Sequence, residues 1–390
     1  MKVTPRSLTL LCYIAMMCMS LGALLPIFFT TIAASYGGET GLTQEQLGRL
    51  AATAAIGGIL GVLGSGSLAD RLGTKGFLLI GLTLISLGFL SAAFAPSYLL
   101  LAVSLFCLGL GGGMLDSVLN PLVAALNPER RTIAINWLHA FFFAGAVLTT
   151  LIGTAALRSG WNWRETCLAV FCLPLGLIPV FAWLRFPALV AAKDGGEVMP
   201  LSRLLRFRWF WGAMVVIACS AATHSGINRW LPAYAERWLG FEPWVGGVGL
   251  LCFSSGVAVA RMLIGTFGAK WNMFNLIAWS SVATFSCFTI GVFLPVPWIS
   301  FAGFVLVGFS SSALWPTMLG LTANRFPSGG ARMFALLSVF GNIGGTITLW
   351  CVGVVADHSN LHWGLAITLL GPATILPVIL VLKRYSQSHS

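Results

Sequence analysis

Charge is scarce in this chain. Lysine, arginine, aspartate and glutamate together make up 8% of its 390 residues, and only eleven residues are acidic. A soluble domain carries about 25% charged residues. With 57% hydrophobic residues, there is too little polar surface to face water on every side, so the solvent of the folded chain is lipid. Paired cysteines are lacking as well. Nine are present, and Cys12, Cys18, Cys107, Cys219, Cys252, Cys287 and Cys351 fall inside apolar runs, where cysteine behaves as a small hydrophobe. Their spacing excludes both a disulfide framework and the paired thiols of a zinc or redox site. No Ser/His/Asp grouping, phosphate-binding glycine loop or metal-ligand spacing points to an enzyme, a bound metal or a resident cofactor. The net charge of +11 is spread over short loops rather than gathered in a basic domain, which argues against nucleic acid as a partner.

What the chain has instead is long apolar runs. A helical crossing takes roughly 20 apolar residues, and polar breaks divide the sequence into twelve such segments. They cover about 8–34, 45–68, 76–95, 98–126, 132–157, 165–186, 209–238, 243–268, 271–294, 297–323, 332–356 and 362–382. The first is too long for the core of a signal peptide and is expected to stay as a span. The expected fold class is therefore an all-α polytopic membrane protein with twelve transmembrane helices. Its longest polar interruption, "RFPALVAAKDGGEVMPLSRLLRFR", falls between the sixth and seventh segments. The expected organisation is a six-helix bundle over 1–186, a linker over 187–208 and a second six-helix bundle over 209–390.

Orientation follows from the basic residues. If the N-terminus is cytoplasmic, sixteen of the 22 Lys and Arg residues fall on the inner side, among them Arg6, Lys75, Arg130, Arg131, Arg206, Arg208, Lys270 and Arg325. The outer side has Arg158, Arg164 and Arg237, with Arg49 near it. This is the positive-inside pattern, and it places both termini in the cytoplasm. Short loops suit a bacterial inner membrane.

Two stretches carry more specific chemistry. Gly66–Lys75 reads "GSLADRLGTK" and lies between the second and third spans. Asp70 and Arg71 are positioned to pair with neighbouring helix ends, and Gly66 and Gly73 permit close helix approach and a tight turn. Gly111–Ala124 reads "GGGMLDSVLNPLVA" and puts Asp116 in the middle of a span. An ionised carboxylate there costs about 2.5–3.5 kcal/mol on an insertion scale, so a role for it is expected. Asn120 is one helical turn on and shares its face. Pro121 removes a backbone donor and favours a local kink. The preceding glycines either admit a neighbouring helix or leave room for a ligand.

The loop pattern G-x-L-A-D-R-x-G-x-K resembles the signature of the major facilitator superfamily, at the place where that superfamily carries it. Thr74 stands where a basic residue is usual. A decayed echo, "RMLIGTFGAK", occupies the matching loop of the second half. Its Arg261 reads slightly more readily as a snorkelling or interhelical structural arginine than as a substrate ligand. The order of Gly-rich run, Asp116, Asn120-Pro121, then Asn136, His139 and Phe143 in "RTIAINWLHAFFFAGAVLTTLIG" resembles the fucose–proton symporter family within that superfamily. The likeness is best over about 105–153. It implies a secondary transporter that moves a neutral monosaccharide or polyol inward by alternating access between two six-helix halves. Asp116 would bind substrate or carry the coupling proton, with Asn120 and Asn136 as substrate ligands and His139 where the family often has Gln. One departure matters: the symporters carry a second acid on the first span, and "LTLLCYIAMMCMSLGALLPIFFTTIAA" has none, so that either Asp116 alone couples transport to a proton, or His139 or His224 shares the task, or transport is uncoupled.

Further substrate contacts are expected from His224 and Asn228 in "THSGINRWLPAY", from Trp315 beside Pro316, and from Asn342. Asp70, Arg71, Lys75 and Arg229 are the expected gating residues. The expected coupling ion is a proton, with sodium as the alternative, and the expected state is a monomer in lipid. Competing readings are a drug or amphiphile exporter, an organic-anion carrier drawing on Arg229, Arg261 and the histidines, and a transporter-like sugar sensor.

Overall fold

A computed structural model of the chain describes residues 4–36, 41–42, 44–184, 186 and 199–387. The fold is helical, with no strand among the described residues, and comprises twelve membrane helices. Large apolar side chains such as Leu99 (72% exposed), Trp279 (72%) and Trp350 (70%) lie on its surface. That surface suits lipid and would be a liability in water.

The helices are α1 (Pro5–Ser20, continued by short turns to Ser35), α2 (44–72), α3 (74–93), α4 (Tyr98–Leu126), α5 (Arg131–Arg158) and α6 (Trp163–Trp183). They continue as α7 (Arg208–Arg237), α8 (Pro243–Phe267), α9 (Met273–Phe293), α10 (Pro297–Arg325), α11 (Gly330–His358) and α12 (Leu361–Gln387). Their starts are written locally. Thr4 and Asn272 accept hydrogen bonds from the amides of Ser7 and Asn275 at 3.2 and 3.1 Å. Asn162 and Glu165 form a reciprocal capping box at the start of α6, both bonds being 2.9 Å. Each cap satisfies an amide that has no partner within its helix. Pro5, Pro243 and Pro297 begin α1, α8 and α10, where the missing N–H costs nothing.

The signature stretch is less a loop than a kink. Helical geometry runs from Gln44 to Ala93 and is broken only at Gly73, with φ 71° and ψ 159°. A side chain there would be strained, and glycine adopts this conformation freely.

By contacts the chain divides into two compact units. One comprises Met1–Leu126 and Phe141–Gly196, the other Asn127–Ala140 and Glu197–Ser390. α5 thus contributes its first ten residues to the second unit and the remainder to the first.

In the first unit, α4 packs against α2, α3 and α1, and α6 against the α2–α3 pair. Lipid offers helices no hydrophobic incentive to associate, so close backbone approach through small residues supplies the packing energy. A methyl on Gly109 would strike the Ala54 carbonyl and one on Gly113 the Gly58 carbonyl. From the facing side, Gly57 and Gly61 meet the carbonyls of Phe106 and Leu110. Gly111 turns the other way, onto Gly81 and Ile85 of α3. Of the two expectations for this glycine run, close helix approach is the one realised, except at Gly112, which has open space beside it.

One corner of this unit is tied by Arg164 at the head of α6. Its Nη1 donates to the carbonyls of Ala93 (3.0 Å) and Ala95 (2.8 Å), and its Nη2 to the Tyr36 hydroxyl (3.2 Å). The guanidinium also lies over the Trp163 ring at 4.4 Å. Burial pushes the Tyr36 phenol up, against the pull of Arg164. The phenol therefore keeps its proton and donates it to the Ala95 carbonyl at 2.8 Å.

The second unit is built around α7, which packs against α8, α11 and α12, while α9 packs on α10 and α12. Gly344 of α11 lies on the Ala218 backbone, and Gly308 of α10 on the Phe253 carbonyl of α8. Ser281 of α9 donates to the Pro372 carbonyl of α12 at 2.6 Å. α10 is not continuous: Pro297–Ser311 and Leu314–Arg325 are separate helical segments.

Candidate functional site

The expected site residues fall into groups by unit. In the first unit, Asn120 and Asp116 are joined. Asn120 is 1% exposed, and its Nδ2 donates to the Asp116 carbonyl oxygen (2.8 Å) and to the carboxylate Oδ1 (3.0 Å). Gly109 and Gly113, about two turns and one turn before Asp116 on the same helix, lie against α2. Pro121 cannot donate to the Ser117 carbonyl four residues earlier. The acid is half-buried and oriented by a neutral donor on its own helix.

Lys75, expected at a gate, reaches the end of α6. Its Nζ donates to the carbonyls of Ala182 (2.6 Å) and Leu184 (2.9 Å). Those carbonyls belong to the last turn and have no helical donors of their own, and a cation there also meets the favourable end of the helix dipole. The side chains of Asp70, Arg71 and Arg229 lie outside the described residues.

In the second unit, the first turns of α5 bed into α8 and α10. Gly320 of α10 lies against Thr132, and Gly265 of α8 against Trp137. Asn136 is fully buried, its Nδ2 donating to the Thr132 carbonyl (2.9 Å) and to Thr317 Oγ1 (3.2 Å). Its Oδ1 is buried without a hydrogen-bond partner. His139, 7% exposed, offers its carbonyl to Arg261 Nη1 at 3.4 Å.

The break in α10 gathers the rest. Ser311 Oγ gives its proton to the Val307 carbonyl at 2.6 Å, so His224 Nε2 is the donor in its 3.1 Å contact with that oxygen. The same nitrogen lies 3.4 Å from the Ser311 carbonyl. Arg261, 3% exposed, donates from Nε to the Ser312 carbonyl at 3.1 Å. Pro316 has no N–H to give that carbonyl in the usual i+4 register, and the arginine takes its place.

One turn beyond Ser311, half-buried Trp315 turns the edge of its six-membered ring against Gly341 of α11, with Ile217 of α7 alongside. Asn342 follows Gly341 and is exposed. Asn228, one turn after His224, is also exposed. Of the two structural roles that the sequence leaves open to Arg261, snorkelling and interhelical bonding, the second is realised in its bonds to the Ser312 and His139 carbonyls. Ser311 and Ser312 acquire importance only because a break in α10 exposes their carbonyls. Pro316 was the sequence signal for it.

The profile of the Major Facilitator Superfamily matches residues 10–297. Among curated relatives, the gentisate transporter of Corynebacterium glutamicum is 24% identical, covering 93% of this chain and 86% of that protein. The 4-hydroxybenzoate transporter PcaK of Pseudomonas putida is 34% identical over a shorter stretch, 39% of this chain and 34% of that protein. Among solved structures, the transporter FucP in its outward conformation superposes with a TM-score of 0.82 at 21% identity, covering 96% of this chain and 97% of that one. Twelve membrane helices, a kink glycine in the signature stretch and a match to the family over most of the length agree: the chain is a transporter, not an enzyme, and belongs to the Major Facilitator Superfamily.

Proposed function

We propose that this protein is a secondary active transporter for a neutral monosaccharide or related polyol, coupled to a proton and working by alternating access. The observation that carries the substrate class is half-buried Trp315, its ring edge against Gly341, with His224 hydrogen-bonded to Ser311 one turn before it. A pyranose presents C–H groups on its faces and hydroxyls at its rim. It therefore needs an aromatic surface and a fringe of neutral donors and acceptors. Asp116, held by Asn120, is the group that takes up and releases the coupling proton. Asn136, His139, Asn228 and Asn342 complete the set of hydroxyl partners over the transport cycle. Asp70, Arg71, Lys75 and Arg229 act at its gates. The protein works as a monomer in a bacterial inner membrane, with both termini cytoplasmic.

A second reading, a hydroxylated aromatic carboxylate, is favoured by the buried guanidinium of Arg261 and by the names of the gentisate and 4-hydroxybenzoate relatives. An aromatic ring would use the same tryptophan face. Counterflow exchange in proteoliposomes containing only this protein separates the two. Saturable exchange of a labelled monosaccharide supports the first reading. Exchange of a hydroxybenzoate with no sugar exchanged replaces it with the second. Folded protein that exchanges neither overturns both.

A further inference from the structure

We propose that Arg261 is a positioning residue. It supplies the Ser312 carbonyl with the hydrogen bond that Pro316 withholds, and so holds α10 broken at 312–313 in the shape that seats Trp315 on Gly341. A proline in a membrane helix is tolerated when another group satisfies the carbonyl it leaves behind. Here that group comes from α8, fifty-one residues away in sequence, with Nε and O 3.1 Å apart. The next carbonyl back, that of Ser311, is faced by His224 of α7. Two consecutive carbonyls at the break are thus met by side chains from two other helices. Arg261 also spans from the break to α5 through its 3.4 Å bond to the His139 carbonyl. Fixing Ser312 fixes the start of the second segment of α10, which carries Trp315 in its first turn. Gly341 can accept the indole only because it has no side chain.

The alternative for α10 is to run straight. Restoring an N–H at position 316 would give Ser312 a partner within its own helix, and the arginine would no longer be needed for that bond. This predicts a specific non-additivity. Thermal unfolding is measured in detergent for wild type, Arg261→Gln, Pro316→Ala and the double variant. Arg261→Gln is expected to lower the midpoint clearly in the wild-type background and by less than half as much when Pro316 is already alanine. Equal losses in both backgrounds overturn the proposal. If Arg261→Gln does not fold alone, recovery of folded protein on adding Pro316→Ala supports it, and failure in both backgrounds counts against it.

A purely structural arginine would give no more than this, so a second readout is needed, and it rests on the proposed sugar exchange. Arg261→Gln should raise the KM for exchange about tenfold. The double variant should keep that raised KM although its stability returns, because a straight α10 moves Trp315. A KM that returns together with stability overturns the positioning role. Absence of any exchange by wild type would defeat the substrate reading while leaving the stability cycle to decide the Arg261–Pro316 relationship.

Discussion

The edge of the six-membered ring of Trp315 abuts Gly341, so closely that a methyl group at position 341 would overlap it. The two residues belong to α10 and α11.

If the face of that indole holds the substrate ring, Trp315→Ala should raise the exchange KM about tenfold, and Trp315→Phe about threefold, because a smaller aromatic retains part of the stacking surface. Gly341→Ala, which displaces the indole without removing it, should resemble Trp315→Ala. Counterflow kinetics on the three variants check this. An unchanged KM for Trp315→Ala would remove the tryptophan from the site.

The α2–α4 contact makes a sharper prediction about stability. Gly113→Ala forces a methyl against the Gly58 carbonyl, whereas Gly112→Ala meets nothing within 4 Å. The first should cost about 1–3 kcal/mol, as overpacking does, and the second close to nothing. Thermal unfolding of the two variants, which differ by one position, separates close packing from a general intolerance of side chains in this run.

Much of the fold was legible in the sequence. Twelve apolar runs gave the helices, and the i, i+4 spacing of Asp116 and Asn120 correctly placed the two side chains within reach of one another. These are local relationships, set by helical geometry alone. Gly73 was visible as a turn glycine, although not that one residue would divide two otherwise continuous helices. The Arg261–Ser312 bond was not legible. It joins a side chain on α8 to a backbone carbonyl on α10, and backbone atoms carry no sequence signature. The depth of burial of Asn136 was hidden for the same reason, since it depends on Thr317 from a distant helix.

Lys75 was expected at a gate, and its contacts add a narrower prediction. Lys75→Met should free the carbonyls of Ala182 and Leu184 and fray the end of α6, at a cost of about 1 kcal/mol. Hydrogen exchange read by mass spectrometry should show faster labelling in the last turn before Leu184, with the middle of α6 unchanged. No change there would make the two bonds energetically idle.

Proton coupling through Asp116 is the claim on which active transport rests, because α1 offers no carboxylate to share the task. Uptake of the exchanged monosaccharide is measured in proteoliposomes with and without an inward proton gradient, for wild type and Asp116→Asn. Wild type should accumulate the sugar above its external concentration only when the gradient is present, and Asp116→Asn should equilibrate it and go no further. Wild type that merely equilibrates the sugar in both conditions, or a variant that still accumulates it, would contradict the assignment.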